Sequence, residues 1–349
     1  MKHDPRANGP ARESGARRRI TRRGFMAGAG GIAGAALLAG ARPLFAAADG
    51  PARVTVRRPG TLTVLALTDT HFYQKPYKDA WTVREIKAMA DQHRPDLGLV
   101  CGDMWYNNPK GRGLEFCRGA CDYMAGLGIP WAFVRGNHDI ADEFAAAEQA
   151  LMAAPFSLYR AGADGNYTIE VMDPGGTDPW WELIIVNDAG PEMGFREPQI
   201  EWFNAEAARI KAEYSPAPPA FVFAHVPLPQ YQDMVDSGAA KGVKGEKVSH
   251  EGGSREALSA IRDSGLVKAM FCGHDHLNNY YGDMDGAHLQ YLRASGHGGY
   301  GGARVRKGGT VITADAGRRD FSTASVFPSG RAFAWEPRVP AGKAMKAAG

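Results

Sequence analysis

Cysteine is scarce in this 349-residue chain, which has only Cys101, Cys117, Cys121 and Cys272. No C-x-x-C pair or His-rich zinc spacing accompanies them, which excludes the common short zinc and dithiol motifs. A disulfide framework is not expected either. Cys117 and Cys121 are spaced i, i+4 in a predicted helix, and Cys101 and Cys272 each end an apolar strand, so all four are expected as buried thiols. The chain has no repeat of fixed period and no low-complexity block, which excludes solenoids and repetitive fibres. Its apolar stretch at 27–39 is shorter than the roughly 18 residues a membrane span needs, so no stable membrane anchor is expected. A basic surface is also missing. Nine of the 41 Lys and Arg residues fall in the first 48 positions with only two acids, leaving 32 basic against 36 acidic residues beyond them. That mildly acidic remainder argues against nucleic acid as a structural partner.

The first 48 residues have an order of their own. Thr21-Arg22-Arg23-Gly24-Phe25-Met26 precedes the Gly/Ala-rich apolar stretch, and Ala46-Ala47-Ala48 supplies a small-residue cleavage site. This is the layout of a twin-arginine signal peptide, which implies passage through the twin-arginine export machinery and a periplasmic or secreted destination. With no Cys beside the cleavage site, a lipoprotein is not expected. Residues 49–59 read as a linker, 60–338 as one catalytic domain and 339–349 as a flexible tail.

Within 60–338, apolar runs alternate with helical patterns, as in a layered α/β domain. Strands are expected at 61–67, 97–101, 131–134, 181–186, 221–224 and 267–272, with a hairpin near 167–171 and a closing hairpin between 323–327 and 331–335. Helices are expected from Thr82, whose capping box with Glu85 precedes Ile86, Met89 and Ala90, from the region of Leu114 to Met124, and from Ser254 to Arg262. Residues 229–253 read as a long polar loop carrying Lys241, Lys244, Lys247 and His250, either selecting substrate or simply solvated.

Five strands are followed directly by polar residues: Asp69-Thr70-His71, Gly102-Asp103, Gly136-Asn137-His138-Asp139, His225, and Gly273-His274-Asp275-His276. Functional groups converge at strand carboxyl ends in open α/β sheets. Carboxylates and imidazoles crowded at one point are costly to bury unless cations compensate them, which points to divalent metals. Two ions need about seven protein ligands with one shared, and the count fits. Gly102, Gly136 and Gly273 precede the ligands where close backbone approach is needed.

The series D-x-H, G-D, G-N-H-D, H and G-H-x-H resembles the signature of calcineurin-like metallophosphoesterases, over roughly residues 61–335. The stretches 224–231 and 271–280 and the Gly-rich segment 295–302 are similar to a subgroup of fungal protein-phosphatase-like members and plant proteins classed with purple acid phosphatases. The resemblance implies an α/β/β/α sandwich of two mixed β-sheets flanked by helices, with the metal site at the strand C-terminal ends. It implies that Asp69, His71, Asp103 and His276 hold one metal and that Asp103, Asn137, His225 and His274 hold the other, the ions being Mn, Fe or Zn. Purple acid phosphatases proper carry D-x-G in the first motif and a ligating Tyr in G-D-x-x-Y. This chain has His71 in the first motif and Tyr106 at the Tyr position, so Tyr106 is expected as a wall residue.

The expected reaction is hydrolysis of a small phosphomonoester by in-line attack of a metal-bridging hydroxide. His138 is the expected general acid. Arg135 reaches either substrate phosphate or a surface ion pair, Asp139 either orients a neighbour or caps a helix, and His297 is a further substrate-side candidate. Two alternatives stand beside this: a phosphodiesterase acting on cyclic nucleotides, glycerophosphodiesters or nucleic acid, and a non-catalytic metal-containing binding protein.

Overall fold

The structure, a computed structural model, describes residues 50–302, 305–329 and 332–334. The expected leader (1–48) and tail (339–349) lie outside the described residues. In chain order the strands are β1 (Ala52–Thr55), β2 (Thr61–Leu67), β3 (Leu97–Cys101), β4 (Trp131–Val134), β5 (Tyr167–Met172), β6 (Trp181–Ile185), β7 (Ala220–Phe223), β8 (Lys241–Lys244), β9 (Val267–Cys272), β10 (Asn278–Met284), β11 (Ala287–Tyr291), β12 (Gly309–Asp315), β13 (Asp320–Val326) and β14 (Ala332–Ala334). The helices are α1 (Pro76–His93), α2 (Gly113–Ala125), α3 (Phe144–Ala153), α4 (Glu197–Glu213), α5 (Gln230–Asp236) and α6 (Glu256–Asp263).

Two mixed sheets form. One has eight strands in the order β1-β5-β6-β7-β9-β11-β10-β8, the other six in the order β14-β13-β12-β2-β3-β4. The strands that carry the polar motifs run parallel within their sheets, β2, β3 and the edge strand β4 in the smaller and β7 and β9 in the larger. Being covered on both faces, they read as unbroken apolar runs, and every residue of β3 and β4 is buried. Alternate side chains of the larger sheet serve different cores. Leu183, Ile185, Phe221 and Phe223 join β2, β3 and β4 and helices α1, α2 and α3 in one apolar cluster. Their neighbours Ile184, Val186 and Val222 face a second cluster with Phe203 and Ile210 of α4 and Leu258 and Ile261 of α6. The result is the α/β/β/α sandwich, with its motif-bearing strand ends at one edge. Among the described residues no helix is long and apolar enough to cross a membrane.

Several local expectations are corrected. Helix α1 begins at Pro76, six residues before Thr82, because Pro is favoured in a first turn where its missing N–H costs nothing. Thr82 instead lies inside the helix, its hydroxyl within 3.4 Å of the Lys78 carbonyl. The expected linker contains β1, which pairs in parallel with β5. Residues 229–253 are not one long loop, for 230–236 form α5 and 241–244 form β8, an edge strand paired antiparallel with β10, and the shorter stretch 245–253 is irregular. Strands β10, β11 and β12 were not expected, since their mixed polar sequences lack a clear period. The four cysteines are buried and free, as expected.

Candidate metal centre

Three of the five motifs leave their strands through an unusual backbone turn. Asp69 (φ 53°), His71 (φ 45°), Asp103 (φ 53°) and His274 (φ 73°) all occupy the left-handed region, sparsely populated by residues other than glycine. Surrounding bonds hold them there. The Asp69 N–H donates to the Gly102 carbonyl (3.1 Å) and the His71 N–H to the Asp103 carbonyl (2.9 Å), locking the first motif onto the second. The His274 N–H donates to Asp69 Oδ2 at 3.2 Å. Across the two sheets, His225 Nδ1 donates to the Cys101 carbonyl at 2.9 Å. This packing leaves no room at Gly102, where a Cβ would stand 2.0 Å from His225 Nδ1.

Asp69, His71, Asp103 and His276 are all buried, and each brings one ligand-type atom within 4.8 Å of the others. His276 Nε2 is 3.2 Å from Asp69 Oδ1, and His71 Nε2 is 3.4 Å from Asp103 Oδ2. Asp103 also faces the other way, its Oδ1 3.5 Å from His225 Nε2, which in turn meets Asn137 Oδ1 at 3.1 Å. Asp103 is therefore the hinge between two donor sets. The second set is looser. The His274 ring lies edge-on to His225 at 5.1 Å, but its Nε2 is turned to Glu251 Oε1 at 3.4 Å.

The donor chemistry fits a cation. A carbonyl can only accept, so the bonds to Cys101 and to the Tyr300 carbonyl (3.1 Å from His276 Nδ1) occupy the Nδ1 hydrogens of His225 and His276. In the neutral rings each Nε2 is then a lone pair aimed at other lone pairs, on Asn137 and Asp103 for His225 and on Asp69 for His276. Asp69 Oδ1 and His71 Nδ1 are buried without a hydrogen-bond partner. Such an arrangement needs a positive charge at its centre. A proton can supply one. Burial lowers the pKa of His225, but Asp103 and Asp69 outweigh it and lift it to about 10. His71 has the opposite balance, its burial outweighing Asp103 and holding it near 3, so it stays neutral and ready to ligate.

His138 stands at the rim of a cavity of about 320 Å³ lined by His71, Asp103, Tyr106, His274, His276 and Tyr300, among others. Its backbone N–H donates to Asp103 Oδ1 (2.8 Å), and its Nδ1 lies 2.9 Å from Asn107 Oδ1. Tyr106 stacks on it, ring centroids 5.3 Å apart, as a wall of the cavity. Burial lowers the His138 pKa.

Three candidates fall elsewhere. The Arg135 guanidinium lies 3.5 Å over the Phe144 ring and does not line the cavity, so neither phosphate nor a surface ion pair accounts for it. His297 Nε2 is 2.8 Å from Glu85 Oε2, and its N–H donates to Thr82 Oγ1, fastening the Gly-rich loop to α1 away from the cavity. Asp139 caps no helix. Fully buried, it accepts from the Trp105 and Gly136 N–H groups and so orients the loop that carries Asn137 and His138.

Sequence reasoning missed Asp188, Ser249, Glu251 and Tyr300. Asp188 is buried and accepts the N–H groups of His225 and Val226, and it follows an apolar strand as the five motifs do, which was a usable signal. Ser249, Glu251 and Tyr300 line the cavity from irregular segments that no apolar run leads into directly, and no local pattern marks them.

Comparison with known proteins finds relatives and a family. "Probable inactive purple acid phosphatase 29" of Arabidopsis thaliana is 26% identical over 258 residues, covering 65% of this chain and 66% of its own length. Phosphatase DCR2 of Saccharomyces cerevisiae is 26% identical over 210 residues, 52% of this chain and 36% of its own. The chain thus spans just under two thirds of the plant relative and about a third of the yeast one. A solved dimetal phosphatase from Danio rerio is 14% identical, with a TM-score of 0.46 over 76% of this chain and 93% of that one. Residues 62–278, which hold all seven donor side chains and His138, match the family of calcineurin-like phosphoesterases, and the chain belongs to that family.

Proposed function

We propose that the protein is an exported, metal-dependent phosphoesterase acting on a small phosphate ester, its metal centre held by Asp69, His71, Asp103, Asn137, His225, His274 and His276. The observation that carries this reading is the convergence of buried acceptor atoms on both sides of Asp103, 3.4 Å from His71 Nε2 and 3.5 Å from His225 Nε2. Divalent ions of the Mn, Fe or Zn kind, when bound, supply Lewis acidity toward a phosphoryl oxygen and lower the pKa of water. The side chains divide the remaining work. Asp103 contributes a shared negative charge, while the neutral amide of Asn137 adds none and leaves the centre able to admit an anionic ester. The His138 Nδ1 hydrogen is engaged by Asn107, so Nε2 is the atom that carries a proton to the leaving oxygen. Tyr106 keeps that ring in plane, and Ser249 and Tyr300 narrow the approach.

The names of the plant relatives favour a second reading, a metal-containing protein without turnover. Metal analysis of the purified protein, with turnover of a nitrophenyl monoester and a bis-nitrophenyl diester, separates them. We expect two ions per chain and faster monoester turnover. Two ions with neither ester cleaved would favour the binding protein, and a parent that takes up no metal would remove the basis of both readings.

A further inference from the structure

Apart from Tyr300 at the cavity mouth, the Gly-rich segment has no part in the reaction as proposed, yet it lies against the metal centre. A Cβ on Gly299 would stand 2.6 Å from His276 Cε1 and 3.0 Å from His71 Cδ2, so the loop backbone is in contact with two ligand imidazoles. Tyr300 follows. Its ring stacks on His276 with centroids 3.9 Å apart and planes 8° from parallel. Its carbonyl accepts the His276 Nδ1 hydrogen at 3.1 Å, and its hydroxyl accepts the His276 N–H at 3.2 Å. The hydroxyl in turn donates to Glu246 Oε1 at 2.9 Å, and the same oxygen accepts the Leu277 N–H at 2.7 Å.

We propose that Tyr300 is a positioning residue for the metal-ligating His276, and that Glu246 holds Tyr300 in place. The backbone carbonyl sets the tautomer so that Nε2 faces Asp69, and the stacked ring fixes the imidazole plane. Tyr300 is half exposed at the cavity mouth, so the stack, and no surrounding core, is what orients this face of His276. Glu246 follows β8, in the segment that also brings Ser249 and Glu251 to the cavity. The metal centre and the far wall of the cavity are therefore assembled together, through one carboxylate and one phenol. The inference rests on the metal-centre reading above.

The test measures zinc(II) binding to the full chain by competition with a chromophoric chelator, beside the melting temperature without metal. Tyr300→Leu, which removes stack and hydroxyl, should weaken one zinc equivalent about 10–100-fold, the usual cost of losing a ligand's supporting partner. Tyr300→Phe, which keeps the stack, should lose less, and Glu246→Gln should resemble it. All three should melt near the parent when metal-free. The visible spectrum of the cobalt(II)-loaded Tyr300→Leu protein should also shift. Parental zinc affinity in Tyr300→Leu, or a weakening matched by Tyr300→Phe and by a lower metal-free melting temperature, overturns the positioning role. A parent chain that binds no zinc overturns the metal-centre reading itself.

Discussion

His71 Nε2 and His276 Nε2 lie 3.1 Å apart in the buried centre, their rings 50° from coplanar, with a carboxylate oxygen within 3.4 Å of each. The Tyr300 carbonyl engages the His276 Nδ1 hydrogen, so His276 Nε2 is a lone pair, answered at that distance by an Nε2 hydrogen on His71 or by a cation between the rings. The strand ends bring together more acceptor atoms than hydrogens to satisfy them, so the cluster favours a positive charge, whether proton or metal ion.

Asp103 touches both donor sets, so removing it should affect every ion. Loss of a ligand's supporting partner alone costs about 10–100-fold, and loss of the shared ligand should cost at least about 100-fold in phosphate release. Asp103→Ala and Asn137→Ala should both fold, as judged by circular dichroism, with metal content reduced. Activity within tenfold of the parent in metal-replete buffer would remove these residues from the centre.

For His138 the expected signature is selective. His138→Ala should keep its metals and lose about 10²–10⁴-fold in kcat on an alkyl phosphate, whose poor leaving group needs a proton. A nitrophenyl ester should suffer much less. Equal losses on both esters, or a missing metal, would make His138 a ligand or a phosphate binder instead.

Arg135 should be silent in catalysis, since its guanidinium is committed to the Phe144 ring. Arg135→Met should leave KM within about threefold of the parent. A tenfold rise in KM at unchanged kcat would mark lost ground-state binding and return Arg135 to the substrate.

Glu182 of β6 is fully buried, with neither carboxylate oxygen hydrogen-bonded, directly across from Glu170 of β5. Burial first and Glu170 second push its pKa well above the usual carboxylate value of 4.5. A raised acid is neutral in the fold where the unfolded chain has already ionised. Its stability contribution is therefore complete below pH 4.5 and declines as pH rises toward the folded value. Glu182→Gln should flatten that decline in a melting-temperature profile from pH 4 to 8. An unchanged profile would show that Glu182 ionises without cost.

Export should depend on the paired arginines that precede the apolar stretch. Changing Arg22 and Arg23 to Lys should leave precursor in the cytoplasm of a host with twin-arginine machinery. Equal periplasmic accumulation of parent and variant would rule the route out.

The sequence alone was enough to locate the five motifs, because a strand buried on both faces is a run of apolar residues and polar groups appear at its end, whereas the choice of seven donors among them came from the family resemblance. Asp69, Asp103, Asn137, His225 and His274 each stand within three residues of the end of such a run. The alternating burial that divides Leu183 from Ile184 was not read from the sequence, since both residues are apolar and only the two sheets decide which core each enters. Arg135, His297 and Asp139 show what local pattern cannot decide. Each is polar and stands close to a motif, but Phe144, Glu85 and the Trp105 N–H reach them from elsewhere in the chain. Tyr300 and Glu246 were hidden for the same reason, separated from each other by 54 positions and joined only when β10 pairs with β8 and the Gly-rich loop folds back on His276. Strand ends announce themselves through hydrophobic periodicity, whereas the partner of a polar side chain depends on long-range packing, and only the folded chain settles which groups meet.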